Sequence, residues 1–169
     1  YQNNGRRFPW RETSEPYHIL VSEIMLQQTQ TVRVVPKFHE FISAFPSFYS
    51  LASASLQDIL SVWQGLGYNR RAKALKTIGE IVVGEHRGNL PDAPETLEKF
   101  PGIGWATARS IIAFAYGKPV VFIETNIRSV FIYTFFVEQE EVHDKEILPL
   151  IKQTLYRKDI KTWYNALMD

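Results

Sequence analysis

Apolar residues recur at helical spacing along nearly the whole chain. Leu56, Ile59, Leu60 and Trp63 fall at i, i+3, i+4 and i+7, and Ile147, Leu148, Ile151 and Leu155 repeat the pattern with one further turn. The periodicity predicts an all-α chain with helices near 16–29, 31–45, 56–66, 69–86, 94–100, 105–116, 125–136, 144–156 and 159–168. Start signals agree, because Ser55 and Asp58 stand at capping-box spacing and Asp144 stands at the head of its helix. Breaks fall at Pro46, Gly65 to Gly67, Gly88 to Pro94 and Gly117 to Pro119, and Pro36 is expected to kink the second helix or begin it anew. No repeat beyond helix pairs and no low-complexity linker interrupts this, so a helical array with short connections is expected.

Composition narrows the picture. With 169 residues and 45% hydrophobic content the chain can bury one sizeable core or two small lobes. Apolar runs such as Ile81-Val82-Val83 and Val120-Val121-Phe122-Ile123 fall far short of the roughly 20 residues that span a bilayer, and no signal-peptide pattern opens the sequence. A soluble globular protein with no membrane partner is therefore expected. Lys and Arg number 19 against 18 Asp and Glu, so any nucleic-acid binding must come from local arrangement rather than net charge. The absence of cysteine excludes disulfides, thiolate nucleophiles and iron–sulfur or zinc-thiolate sites within this segment, and fits a reducing compartment. The four histidines, at positions 18, 39, 86 and 143, have no metal-ligand spacing and read as surface or packing residues.

Candidate chemistry gathers at four places. In Phe100-Pro101-Gly102-Ile103-Gly104, two glycines flank one apolar residue just before a helix. Such a turn can present consecutive backbone N–H groups to a phosphate, although most Pro-Gly turns simply join helices. Glu23 lies three residues after Leu20 and four after Ile19, on or beside an apolar stripe. Desolvation there favours the protonated carboxyl that a general acid needs, while the commoner alternative is a helix-edge Glu reaching solvent. Behind it Gln27, Gln28, Thr29 and Gln30 crowd the helix end, and their amides suit base edges as well as they suit solvent. In Trp63-Gln64-Gly65-Leu66-Gly67-Tyr68-Asn69-Arg70-Arg71, Leu66 or Tyr68 can wedge a base stack while Arg70, Arg71, Lys73 and Lys76 neutralise phosphates. A solvated basic face with Tyr68 in the core fits the same string. Glu124 opens a helix, where the dipole favours the anion, and paired with Glu23 it makes two carboxyls in opposed environments. A charge serving helix stability alone is its plain alternative.

Together Phe8-Pro9-Trp10-Arg11, Pro16-Tyr17, Ser22-Glu23-Ile24-Met25-Leu26-Gln27-Gln28-Thr29-Gln30, Gly65-Leu66-Gly67-Tyr68, Phe100-Pro101-Gly102-Ile103-Gly104 and Trp163 to Asp169 fall in the order of a known family. The chain resembles the helix-hairpin-helix DNA glycosylase superfamily (HhH-GPD), and within it the A/G-specific adenine glycosylases. The resemblance covers essentially the whole chain. It implies a two-lobed all-α fold with the active site between the lobes: a six-helix lobe over 17–118 containing the helix-hairpin-helix at about 97–117, and a second lobe from 1–16 plus 119–169. It implies a base-excision repair enzyme that flips adenine from a mispair with 8-oxoguanine or guanine and hydrolyses its N-glycosidic bond. Glu23 would protonate the adenine ring at N7 and help handle the attacking water. Glu124 would stabilise the oxocarbenium-like sugar, and Asn126 would orient site groups or water. The DNA-contacting set is Gln27, Gln28, Thr29, Leu66, Gly67, Tyr68, Arg70, Gly102, Ile103, Gly104 and Thr107. The resemblance also implies Na+ or K+ at hairpin carbonyls near Phe100 and Ile103, double-stranded DNA with a mispaired or damaged base as partner, a monomer, and an intracellular place in the cytoplasm or nucleoid.

Three departures shape these expectations. Ala106 stands where bifunctional relatives carry the Schiff-base lysine, which disfavours β-lyase chemistry. Glu124 replaces the family's usual aspartate and is one methylene longer. The four cysteines of the family's iron–sulfur cluster and its C-terminal 8-oxoguanine-recognition domain are absent, and the Tyr1 start with an end inside a family motif is expected of a fragment. Two rival functions remain: a thymine or uracil mismatch glycosylase of the same superfamily, and a non-catalytic helix-hairpin-helix DNA-binding module.

Overall fold

A computed structural model describes residues 5–139 and 141–169, so the first four residues of the expected N-terminal arm lie outside the described part. Among the described residues there is no strand. After a 3-10 turn at Pro9–Arg11 come α1 (Pro16–Leu26), α2 (Thr31–Ala44), α3 (Phe48–Ser53), α4 (Leu56–Trp63), α5 (Arg70–His86), α6 (Pro94–Leu97), α7 (Trp105–Tyr116), α8 (Thr125–Phe135), α9 (Asp144–Thr154) and α10 (Ile160–Met168). No described helix is long and apolar enough to cross a membrane.

α1 is the axis of the fold. Pro16 starts it at a position where the missing N–H costs nothing, and Tyr17, Ile19, Leu20, Val21, Ile24 and Met25 are buried around most of its circumference. It packs against α7, α2 and α5. It ends at Leu26, three residues before the expected end at 29, because Gln28 turns into left-handed backbone (φ 55°) and the Arg71 guanidinium binds the carbonyls that leave the helix. α2, in contrast, runs straight through Pro36 in its second turn, where proline forfeits one backbone bond while Val34, Phe38 and Phe41 bury its inner face.

The periodicity missed α3. Ser47 caps it, accepting from Ser50 N–H at 3.3 Å while Ser50 Oγ accepts from Ser47 N–H at 2.9 Å. The helix lies across α5 at Gly79, where a Cβ would sit 3.2 Å from Leu51 Cγ. With α3 counted, seven helices rather than six precede Gly117. Asp144 is the first residue of α9, not its cap; the cap is His143, whose N–H donates to the Glu146 carboxylate at 2.9 Å.

α6 and α7 form a hairpin, and α10 packs on both α7 and α8. Tyr164 of α10 anchors the segment before α8: its ring stacks on Phe122 at 4.1 Å, and its hydroxyl donates to Val120 O at 2.9 Å. The buried apolar side chains make one cluster from Trp10 to Tyr164. A cavity opens where α1 and α7 face the N-terminal segment, the head of α8, and α10.

Candidate active site

α1 delivers Glu23 to this cavity of about 350 Å³, which Ser110, Glu124, Asn126 and Asn165 also line. The Ser110 hydroxyl, from α7, donates to Glu23 Oε2. Burial pushes the Glu23 carboxyl up to about 7; the Ser110 hydrogen bond pulls the other way, and the charge of Glu124 adds to the rise. Near neutrality this carboxyl keeps, about half the time, the proton that an exposed glutamate would have lost.

Glu124 is the N-cap of α8 and curls back so that Oε1 accepts from Ile127 N–H at 2.9 Å. That bond fixes the longer side chain at the cavity wall, and Asn126, two residues on, lies exposed at its mouth. Asn165 is only 4% exposed and lines the cavity. Lys161 contributes the cavity's amine, which donates to Thr13 O and, at 3.4 Å, to Ser14 Oγ; burial holds it below its ordinary range, with Asp159 partly offsetting. The outer wall is the N-terminal segment, where Phe8 stacks on Trp10 at 5.1 Å. Arg6 Nε and Arg11 Nη1 both reach Asp169 Oδ1, at 2.9 and 2.8 Å.

A second face carries the hairpin and two loops. Gly102 takes φ 76°, which favours glycine, and its carbonyl accepts from Gln27 Nε2 at 3.0 Å. Gly104 begins α7 in extended backbone with no side-chain cap, and a Cβ there would meet nothing within 4 Å, so the first N–H groups of α7 are open to approach. Ile103 is buried and anchors the turn. Thr107 lies beneath, within 3.4 Å of Gln27 Nε2. Gln27 thus ties α1 to the hairpin rather than reaching outward.

Gln28 and Tyr68 stand at the tips of the two loops, both in left-handed backbone, with φ 55° and 48°. Tyr68 is 54% exposed and Arg70 lies over its ring at 5.5 Å. Leu66, expected as a wedge, is instead 4% exposed; it belongs to the core and cannot wedge a duplex without unpacking. Gly67 (φ 73°) instead turns the chain, its carbonyl accepting from Trp63 Nε1 at 3.0 Å. Arg71 and Lys76 are also not free phosphate cations. Arg71 is buried under both loops, donating to Ile24, Met25, Gln27, Leu66 and Gly67 carbonyls and to Thr29 Oγ1. Lys76 pairs with Glu80 at 2.8 Å and donates to Ala52 O at 3.0 Å. Arg70 and Lys73 remain exposed and line a shallow basic cleft with Gly102.

Sequence reasoning overlooked Ser110, Asn165 and the structural role of Arg71. The signals were faint: one hydroxyl within the apolar run of α7, one amide between Tyr164 and Ala166, and one arginine amid other cations.

A glutamate with a raised pKa, partly buried in a cavity beside a Gly-x-Gly hairpin, defines a class. Residues 21–153 match the model of the HhH-GPD superfamily base excision DNA repair protein, and the chain belongs to that family. Among its relatives the adenine DNA glycosylase of Mycobacterium tuberculosis is 41% identical over 131 residues, 77% of this chain and 43% of that protein. The adenine DNA glycosylase of Buchnera aphidicola (subspecies Baizongia pistaciae) is 34% identical over 156 residues, 92% of this chain and 44% of that protein. The chain therefore spans less than half the length of these relatives. Among solved structures, a thermostable thymine-DNA glycosylase superposes with a TM-score of 0.87 at 25% identity, covering 97% of this chain and 77% of that one.

Proposed function

We propose that this chain is the catalytic part of a monofunctional adenine DNA glycosylase that removes adenine mispaired with 8-oxoguanine or guanine and acts on duplex DNA as a monomer. The observation that carries this is Glu23, its pKa raised to about 7, in a cavity whose volume lies within the roughly 300–1,000 Å³ of small-ligand sites. The adenine is flipped into this cleft between the two lobes. Glu23 gives its proton to the base ring at N7, the C1′–N9 bond breaks with its electron pair going to the base, and the Glu124 carboxylate faces the cationic sugar. Water then adds to C1′, and the Glu23 carboxylate takes up its proton. Asn126 orients the water, and the Asn165 amide in the cavity wall faces the base edge. With Ala106 where a lysine nucleophile would stand, hydrolysis proceeds without strand cleavage.

The open amides of α7, with Arg70 and Lys73, engage phosphates, while Gln28 and Tyr68 enter the duplex at the mispair. The carbonyls near Phe100 and Ile103 are hard oxygen donors of the kind alkali cations take. Phe100 O already accepts from Ile103 N–H at 3.2 Å but keeps a second lone pair for Na+ or K+.

Base release from A:8-oxoG, A:G, T:G and U:G duplexes tests the reading. Excision of adenine alone is expected; release of thymine or uracil assigns the mismatch alternative, and duplex binding with no release assigns a non-catalytic module. Glu23→Gln is expected to lower single-turnover excision at least 1,000-fold, an order set by general acid catalysis, while retaining duplex affinity. Full activity in that variant overturns the mechanism.

A further inference from the structure

Ser110 is buried to 5% exposure, and its hydroxyl has one proton but two acceptors, Glu23 Oε2 and, at 3.0 Å, Thr107 O. One proton shared between both serves each weakly, so at full strength it bonds only one. If the acid proton of Glu23 sits on Oε2, Ser110 must accept it and turn its own hydrogen to Thr107 O. If the acid proton sits on Oε1, Ser110 donates to Oε2 and the transferable hydrogen is on the other oxygen. Only the second arrangement leaves the acid hydrogen free for a base in the cavity.

We infer that Ser110 is a positioning residue for Glu23: by donating to Oε2 it reserves Oε1 as the oxygen that carries the transferable proton, and it strengthens its own hydrogen bond as that proton leaves. The inference rests on Glu23 acting as the acid. In the step, the proton moves from Oε1 to the base nitrogen, the carboxylate charge spreads over both oxygens, and the Ser110 hydrogen bond becomes charge-assisted. Ser110 thus offsets part of what burial does to Glu23 and makes it a stronger acid than its surroundings alone would. The other charged groups facing the cavity are Glu124 from α8, Lys161 from α10, and Arg6 and Arg11 from the N-terminal segment. α7 offers only Thr107 and Ser110 there and α2 only Thr31, while Arg71 of α5 is occupied at the end of α1.

Excision requires protonated Glu23, so the rate falls as pH rises through its pKa. Losing a hydrogen bond to a charged group, worth about 1.5–3 kcal/mol, should move the alkaline limb of the Ser110→Ala single-turnover profile up by about one pH unit. The plateau rate should fall roughly tenfold, with Ser110→Thr restoring the limb. An infrared titration of the Glu23 carboxyl, identified by subtracting Glu23→Gln, reads the same shift without any excision. An unshifted carboxyl titration in Ser110→Ala overturns the role of Ser110 even if the plateau rate drops. A shifted titration in a protein that releases no base upholds the hydrogen-bond role and instead removes the reading of Glu23 as a glycosylase acid.

Discussion

Glu23 carries a cost that its function explains. A carboxyl whose pKa rises from 4.5 to about 7 binds its proton more tightly in the folded chain than in the unfolded one. Its penalty is absent below the unfolded pKa, grows as pH rises, and is complete above the folded pKa. The shift corresponds to about 3 kcal/mol at most, so Glu23→Gln should raise the denaturant midpoint and Tm at pH 8, with the gain shrinking toward pH 4. Urea unfolding at the two pH values measures it, and a gain that is the same at both argues against the buried-acid reading. Glu23 was legible because a charge on an apolar stripe is conspicuous in one dimension. Ser110 was not, because its meaning lies in Glu23, 87 residues away in sequence. Glu124 was legible as a helix head, but the curl of its carboxylate onto Ile127 N–H depends on side-chain rotamers that periodicity does not reach.

The ends of elements, more than their middles, were hidden. α5, α7 and α8 lie where apolar spacing and caps put them, whereas α1, α4 and α6 each stop three residues early and α3 was invisible, its third residue Ser50 completing the capping box where a glutamate would have been recognised. The early stop of α1 is the work of Arg71, which binds both the loop after α1 and the turn before α5. Each loop holds a non-glycine residue in left-handed backbone, a conformation that costs about 1–3 kcal/mol, and the Arg71 bonds offset that cost. Arg71→Ala strands several buried carbonyls and should destabilise the fold by about 3 kcal/mol. Hydrogen exchange should show the losses concentrated over 26–30 and 64–70. Exchange that rises evenly through the chain would argue against a shared anchor.

At the scale of the whole molecule, one cavity is walled by residues from both ends of the described chain. Asp169 holds that wall. Burial raises its pKa, but hydrogen bonds from Arg11 and Arg6 outweigh burial and keep it below its ordinary value. The clamp is therefore fully present above the unfolded carboxylate pKa and lost as pH falls through the lower folded value. Arg6 is half exposed and screened, so Asp169→Asn should cost only about 1 kcal/mol globally. It should nevertheless speed tryptic cleavage after Arg6 and Arg7 several-fold, and unchanged cleavage would show that the wall is held by Phe8 and Trp10 packing alone. Residues 6 and 169 are separated by 163 positions. During synthesis the helices around α1 can pack while that contact does not yet exist, because its second partner has not left the ribosome. The wall beside Glu23 thus closes after the helices around α1, and until then a nascent chain holds its acid in an unfinished pocket.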